Sequence, residues 1–169
     1  DIDVILKEAK RLDRIVNQIV EYARPRELAP VRFDLSDLIH EVVKMLDVPL
    51  HAKHLAIQAA VSPMAAHVHA DRDQIKQVLL NLLLNALDAM PNGNGVIQIR
   101  TRVLPQAGRT AWVQLEVEDE GCGIAPDHLE HIFDPFFTTK HTNSASDGSG
   151  LGLTTAHQIV REHGGTLLV

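Results

Sequence analysis

Two asparagines lie on one face of a long helical pattern whose other positions are largely apolar, and this pairing restricts the fold more than any other feature of the chain. Asp71 opens a predicted helix, and the pattern that follows it continues to about Met90. Steps of three and four residues place these polar side chains on a common face: Gln74, Gln77, Asn81, Asn85 and Asp88. Because a buried amide without a hydrogen bond is costly, this face predicts either contact with water or a bound ligand.

The pair Asn81 and Asn85 has two readings. A polar stripe facing water would account for it. A site for Mg²⁺ and phosphate would also account for it, since side-chain carbonyl oxygens suit a hard cation. The segments that follow along the chain favour the ligand site.

The first of these segments is Asp119-Glu-Gly121-Cys-Gly123, which follows a predicted strand that includes Trp112 and Val117. A carboxylate accepts hydrogen bonds from an exocyclic amine, and glycines let the backbone approach a flat base. Taken alone, the segment would be an ordinary Asp-Gly turn.

The second segment is the glycine run from Gly148 to Leu153, which enters a predicted helix ending near His163. Glycine N–H groups beside a helix N-terminus form a phosphate site. The spacing is neither that of a dinucleotide-binding motif nor that of a P-loop, and no lysine follows the glycines. A flexible loop is the alternative for this run in isolation.

The third segment lies between the other two along the chain and precedes a loop rich in Ser, Thr, Asn and Gly; it reads Phe133-Asp-Pro-Phe136-Phe-Thr138-Thr139-Lys140. Its aromatic side chains either pack in the core or anchor a mobile loop to it. Lys140 is either a solvated surface charge or a partner for the β- and γ-phosphates of a nucleotide.

This ordered set resembles the N, G1, F and G2 boxes of the ATP-binding domain of sensor histidine kinases, over roughly Asp71 to the end of the chain. The fold is shared with gyrase, heat-shock chaperone and mismatch-repair ATPases. The run Phe133 to Lys140 is similar to that of the nitrogen-regulation subgroup. The resemblance implies an α/β sandwich, with one mixed sheet covered by helices on one face, and the predicted order of elements fits it.

The resemblance also implies roles and cofactors, namely ATP and Mg²⁺. Asn85 would be the Mg²⁺ ligand, Asn81 would lie beside the phosphates, and Asp119 would read the adenine amino group. Asn81, Asn85 and Lys140 are the implied catalytic residues. The other nucleotide-binding residues implied are Asp88, Gly121, Gly123, Ile124, Phe136, Thr138, Thr139, Gly148, Ser149, Gly150, Leu151, Gly152 and Leu153.

The type of reaction follows from position 81. Hydrolysing relatives have a glutamate there, whereas an asparagine amide is no general base. The implied reaction is therefore transfer of the γ-phosphoryl group to a histidine, and then to a response-regulator receiver domain. His40 lacks the proline of the family's phosphoacceptor context, so we find no acceptor histidine in this chain. Three rivals are a conformational ATPase of the same fold, a nucleotide-free dimerisation module and a serine-directed kinase.

Two parts are predicted, residues 1–28 and residues 29–169. The first part carries a heptad pattern of apolar residues, and these side chains need to be buried against another surface: Ile5, Ala9, Leu12, Val16, Ile19 and Ala23. It packs on its own domain or forms half of a dimerising hairpin; the resemblance favours the second helix of such a hairpin, without the first. The second part would be the ATP-binding domain, truncated at a last strand starting at Thr166. We interpret the chain as a piece of a longer protein.

Composition excludes several other classes. A net charge of −6 without a basic stripe argues against nucleic acid as a partner. Cys122 is the only cysteine, which rules out an internal disulfide and a Cys-rich zinc site, and the ten histidines show no ligand spacing. No apolar run approaches the roughly 18 residues of a membrane span, so we expect no membrane contact by this chain. A cytoplasmic location is expected, with anchoring of the parent protein in the inner membrane left open.

Overall fold

The computed structural model describes residues 27–105, 111–139 and 149–169, together with five separate positions near the start of the chain. Those five positions are helical and exposed: Ile2, Leu6, Ala9, Val16 and Val20. Ala9 and Val16 belong to the predicted heptad pattern, and neither is covered by the rest of the domain. The assignment of residues 1–28 to a dimerising hairpin stays a prediction.

Four helices and five strands make up the described part of residues 27–169. The helices are α1 (Leu35–Met45), α2 (Asp47–Ala52), α3 (Arg72–Ala89) and α4 (Gly152–Glu162). The strands are β1 (Val31–Asp34), β2 (Leu55–Ala60), β3 (His67–Ala70), β4 (Gly95–Leu104) and β5 (Trp112–Glu118). Among the described residues, no helix combines the length and the apolar character needed to cross a membrane.

The strands form a mixed sheet and a small antiparallel ribbon. In the mixed sheet β4 is central, parallel to β2 and antiparallel to β5. The predicted α/β fold with a mixed sheet and packed helices is confirmed. The strands do not all join one sheet, however: the chain turns through Pro63–Ala65 after β2, and β3 then pairs with β1.

The core lies between the mixed sheet and the helices α1 and α3. Its fully buried side chains are Leu38, Ile39 and Val42 from α1, Leu79 and Leu83 from α3, and Ile97 and Ile99 from β4. On the other face of β4, Arg100 and Arg102 pair with Glu118 and Glu116 of β5 in the solvent. The helices therefore cover one face of the sheet, because only that face is apolar.

The start and the end of α1 depend on residues close to them in the sequence. The position of Asp34 directly before an apolar helical pattern predicts an N-cap, and Asp34 does cap α1, since its Oδ1 accepts a hydrogen bond of 2.7 Å from the Ser36 backbone N–H. The spacing of apolar residues from Leu35 to Leu46 predicts a helix that ends near Pro49, and this predicted end is wrong. The helix ends at Met45, and Pro49 lies in the first turn of α2, where a helix needs no N–H donor from it.

The helix predicted to open at Asp71 is α3, and Asp71 both caps it and connects two further parts of the domain. Its Oδ1 accepts from the Gln74 backbone N–H, its Oδ2 accepts from the Ala29 N–H, and its own N–H donates to Nε2 of His163 at 3.0 Å. Burial raises the pKa of Asp71, but the backbone N–H groups of Ala29, Gln74 and Asp73 outweigh burial and hold the pKa below its usual value. The amino end of α3 and the carboxyl end of α4 are thereby held together.

The end of the chain differs from the prediction of a strand that starts at Thr166. No strand is assigned to residues 166–169. Leu167 instead packs beside Val78 of α3 and Ile159 of α4 in a second apolar cluster. Leu168 and Val169 are exposed, so this cluster holds only one of the last three side chains of the chain.

Glu41 links α1 to α3 through two ion pairs. Its carboxylate accepts hydrogen bonds from Lys76 and from Arg72, the latter at 2.5 Å. These hydrogen bonds, with Lys76 foremost, lower the pKa of Glu41 from its ordinary 4.5 to about 2. All three side chains are about one-third exposed (29–37%), so the solvent screens much of the attraction.

We expect Glu41→Gln to reduce stability slightly at neutral pH and progressively less in acid. A carboxylate whose pKa is lowered by folding stabilises the protein above its unfolded pKa, and this contribution is lost as the pH falls from about 4.5 towards 2. Urea unfolding midpoints at pH 7, 5 and 3 measure the difference between the two proteins. Glu118→Gln, in the more exposed pair with Arg100, is the control. A difference that stays constant over this range contradicts the role given to Glu41.

Candidate nucleotide-binding site

The asparagine face of α3 contacts the start of α4. Nδ2 of Asn81 donates a hydrogen bond of 3.0 Å to the carbonyl oxygen of Gly152, which lies 71 positions later and begins α4. Asn85 lies one turn further along α3 and is half-buried, and its side chain makes no hydrogen bond with another described residue. The Asn85 carbonyl oxygen is therefore available to a ligand on the same face as Asn81.

The Asp119 loop lies against the carboxyl end of the same helix. The N–H of Cys122 donates to the carbonyl oxygen of Ala89 at 3.0 Å, and the N–H of Gly121 donates to Oδ1 of Asp119 at 2.8 Å. A Cβ on Gly121 would lie 2.6 Å from both the Ala89 Cβ and the Asp119 Oδ1. Only glycine fits this approach, which orients the exposed Asp119 carboxylate and leaves its second oxygen pointing to no described partner.

The aromatic segment meets the glycine run through a backbone contact. The N–H of Phe136 donates to the carbonyl oxygen of Gly150 at 3.0 Å. Gly150 has φ +69°, and a Cβ there would lie 2.7 Å from the Cα and carbonyl oxygen of Phe136. Phe136 itself has φ +67°, which is uncommon for a residue with a side chain. The two segments are thus held in a close and specific arrangement.

The aromatic side chains of this segment have different surroundings. Phe133 stacks on His157 of α4 with ring centroids 4.5 Å apart, and Phe137 lies beside the rings of His128 and His131. Phe136 is 58% exposed and is no part of the core. Core packing therefore does not explain Phe136, and the stack on His157 joins this segment to α4.

The remaining predicted site residues have varied positions. Lys140 and Gly148 lie outside the described residues. Thr138, Thr139 and Ile124 are exposed. Asp88, near the end of α3, and Gly121, in the Asp119 loop, are half-buried. Four residues of the glycine run are also half-buried: Ser149, Gly150, Gly152 and Leu153. Leu151 is 2% exposed, so its side chain belongs to the protein interior.

Gly123 and Ser149 show local geometry that suits ligand contact. Gly123 has φ +67°, and a Cβ there would meet open space, so the backbone conformation requires glycine while the space beside it stays free. The Ser149 hydroxyl accepts from the N–H of Leu151 at 3.3 Å, at the entry to α4. The space beside Gly123 is therefore open, and the Ser149 hydroxyl helps to shape the entry to α4.

Sequence reasoning missed residues that hold the site together. Ala89 receives the Asp119 loop, Thr154 reaches the aromatic segment, and His157 stacks on Phe133. Thr154 directly follows the glycine run, but nothing in the sequence indicates its distant partner. In the described ranges, no three His, Cys, Asp or Glu side chains are grouped so that they could hold a metal ion.

Three kinds of chemistry meet along α3. An exposed carboxylate lies at its carboxyl end, an amide oxygen without a described partner lies one turn back, and the glycine entry to α4 lies beside Asn81. A carboxylate binds an amine, an amide oxygen suits a divalent cation, and a helix N-terminus attracts phosphate. Fold and site together define a nucleotide-binding α/β domain.

Comparison with known proteins gives the family. Residues 70–169 match the family described as histidine kinase-, DNA gyrase B-, and HSP90-like ATPase, and the chain belongs to this family. It is 39% identical to the sensor histidine kinase ZraS of Escherichia coli O157:H7 over 166 residues, which are 98% of this chain and 34% of ZraS. The chain thus spans about a third of the length of this curated relative.

Two solved structures share the fold. The crystal structure of full-length ShkA in complex with AMPPNP matches with a TM-score of 0.73 and 29% identity, over 94% of this chain and 32% of ShkA. The histidine kinase ThkA in complex with the response regulator protein TrrA matches with a TM-score of 0.70 and 32% identity, over 97% of this chain and 44% of that one. The resemblance to the ATP-binding domain of sensor histidine kinases is confirmed. The nitrogen-regulation subgroup and the individual residue roles stay predictions.

Proposed function

We propose that this chain binds Mg-ATP and transfers the γ-phosphoryl group to a histidine on a separate helical segment, for onward transfer to a response-regulator receiver domain. The observation that supports this most is the hydrogen bond from Asn81 to Gly152, because it joins the asparagine face to the glycine run. A cytoplasmic site of action fits these partners.

The described residues suit a nucleotide lying along α3. The free oxygen of Asp119 would accept the adenine amino group, and Asn85 would contribute a ligand to Mg²⁺. The backbone at Gly150 and Gly152 would bind phosphate beside the N-terminus of α4. When bound, Mg²⁺ would neutralise phosphate charge, and phosphoryl transfer depends mainly on such positioning and neutralisation.

Asn81 favours transfer over hydrolysis. Its amide is no general base, and its Nδ2 is already hydrogen-bonded to Gly152. Water near the γ-phosphate would therefore find no base at this position. A conformational ATPase is the rival function, and steady hydrolysis of ATP without an acceptor would favour it.

A dimer of the parent protein would form through the amino-terminal helical positions. Ile2, Leu6, Val16 and Val20 are each more than half exposed. Exposed apolar side chains at helical spacing suit pairing with another helix. We propose that they contribute to a helical dimerisation unit.

Transfer can be tested with a separate acceptor. The chain is incubated with γ-labelled ATP, Mg²⁺ and purified phosphoacceptor hairpins from several histidine kinases. We expect acid-labile, base-stable label on at least one hairpin. If the chain binds ATP but labels no hairpin, only the nucleotide-binding part of the proposal stands. If the folded chain binds no ATP, the nucleotide-free dimerisation module becomes the favoured function.

Asp119→Asn is expected to weaken ATP binding about tenfold, because an amide replaces the charged acceptor for the adenine amine. The substituted side chain keeps an oxygen for the Gly121 N–H, so the loop should hold its shape. Calorimetric titration with ATP measures the change. Glu120→Gln makes the same charge change at the next position, where an oxygen still accepts from the Val96 N–H. Equal losses in the two variants would contradict adenine recognition by Asp119.

A further inference from the structure

Thr154 connects two segments that are distant in sequence. It lies in the first turn of α4 and is 6% exposed. Its Oγ1 lies 3.2 Å from the carbonyl oxygen of Asp134 and 3.4 Å from that of Gly150. A threonine in a helix commonly bonds to the carbonyl four residues earlier, which here is Gly150. The shorter distance goes to Asp134, so the hydroxyl also serves a contact between segments.

This contact is part of a small hydrogen-bond network. The carbonyl oxygen of Gly150 also accepts the N–H of Phe136. The single hydroxyl hydrogen of Thr154 has Asp134 as its nearer acceptor and Gly150 as its longer one, so Thr154, Asp134, Phe136 and Gly150 are joined through two donors. We call these four residues the Thr154 junction. Beside it, Phe133 stacks on His157 of the same helix. The junction fixes the start of the segment Phe136–Thr139 relative to the glycine run.

We infer that Thr154 is a positioning residue for the phosphate end of the nucleotide. This inference rests on the proposed function. Residues on both sides of the junction are candidate phosphate contacts, Thr138 and Thr139 on one side and Gly150 and Gly152 on the other. A buried hydroxyl that holds the two sides together sets their separation. Without it, the Asp134 carbonyl oxygen keeps only the N–H of Phe137, which lies in its own segment, and the bond between the two sides is lost.

The adenine end of the site is held independently of this junction. The Asp119 loop is attached to Ala89 at the carboxyl end of α3, through Cys122 and Gly121. Asn81 meets α4 at Gly152, two turns of α3 before that attachment. Removal of the Thr154 hydroxyl should therefore affect ligands that carry phosphates and spare adenosine.

The test compares Thr154→Val with the wild-type 169-residue chain by calorimetric titration with Mg-ATP, Mg-ADP and adenosine. Valine keeps the shape of the side chain and removes the donor. We expect ATP and ADP to bind about fivefold or more weakly, while adenosine binding changes less than about twofold. Thr154→Ser, which keeps the hydroxyl, should restore ATP binding to within about twofold of wild type.

Thr155→Val is the matched control, because it makes the same change one position along α4, where the hydroxyl has no hydrogen bond with a described residue. If Thr154→Val fails to fold, Thr154→Ser against Thr154→Ala isolates the hydroxyl again. Any of three results would overturn the role of Thr154. They are unchanged ATP binding in the hydroxyl-free variant, an equal loss of ATP binding in Thr154→Ser, and an equal loss of adenosine binding in the hydroxyl-free variant. Absence of ATP binding by the wild-type chain would instead overturn the proposed function itself.

Discussion

Replacing Asn85 with alanine is expected to weaken Mg-ATP binding by about one to two orders of magnitude. The substitution removes the amide oxygen proposed to bind Mg²⁺, and contacts of a neutral group with a charged one are worth about 1.5–3 kcal/mol. Asn85 is half-buried and alanine favours helix, so α3 should remain folded. Calorimetric titration with ATP, with and without Mg²⁺, measures the loss.

Gln77→Ala supplies the control for Asn85, since it removes an amide from the same helical face, outside the candidate site, two turns earlier. We expect it to bind Mg-ATP within about twofold of wild type. In buffer without Mg²⁺, wild type and Asn85→Ala should bind ATP alike. If ATP binding by Asn85→Ala kept its full dependence on Mg²⁺, the metal would be bound by other residues.

Gly150→Ala should destabilise the domain by about 3 kcal/mol or more, which is the range of the severe single substitutions. A residue with a Cβ is strained at φ +69°, and the added methyl group would overlap the Phe136 backbone, whose Cα and oxygen lie only 2.7 Å from its position. Relief of this overlap requires the two segments to separate, and that movement breaks the Phe136–Gly150 hydrogen bond. Thermal and urea unfolding measure the change in stability.

Gly164→Ala separates the two causes. Gly164 also has positive φ, +75°, but a Cβ there would be 3.7 Å from the Trp112 ring, an ordinary contact. We expect this control to lose about 1–2 kcal/mol, the cost of the backbone conformation alone. Equal losses at the two glycines would mean that the close approach to Phe136 contributes nothing to stability.

Features that depend on neighbouring residues could be predicted from the sequence. Asp34 and Asp71 cap helices because an acceptor side chain meets the free N–H groups two or three positions later. The shared face of Asn81 and Asn85 follows from helical periodicity. Pro49 was misjudged because proline can stop a helix or lie within its first turn, and local sequence does not distinguish the two.

Features that depend on distant contacts could not be predicted in this way. The pairing of β3 with β1 depends on how the chain turns after β2, and the contact of Thr154 with Asp134 depends on two segments that only the fold brings together. The positive φ of Phe136 is equally invisible, because its local sequence has no glycine to signal it. The candidate site residues were named from motifs, whereas the contacts that place Asn81 and Gly152 side by side came from the structure.

The attachment of the Asp119 loop to α3 makes the chain suitable for spectroscopic labelling. Cys122 is the only cysteine, its thiol side chain is exposed, and its backbone N–H is fixed to Ala89. A thiol-reactive fluorophore would therefore attach at one known place, without any engineered substitution. Its emission would report on events at the proposed adenine end of the site, while the labelled residue stays hydrogen-bonded to the end of α3.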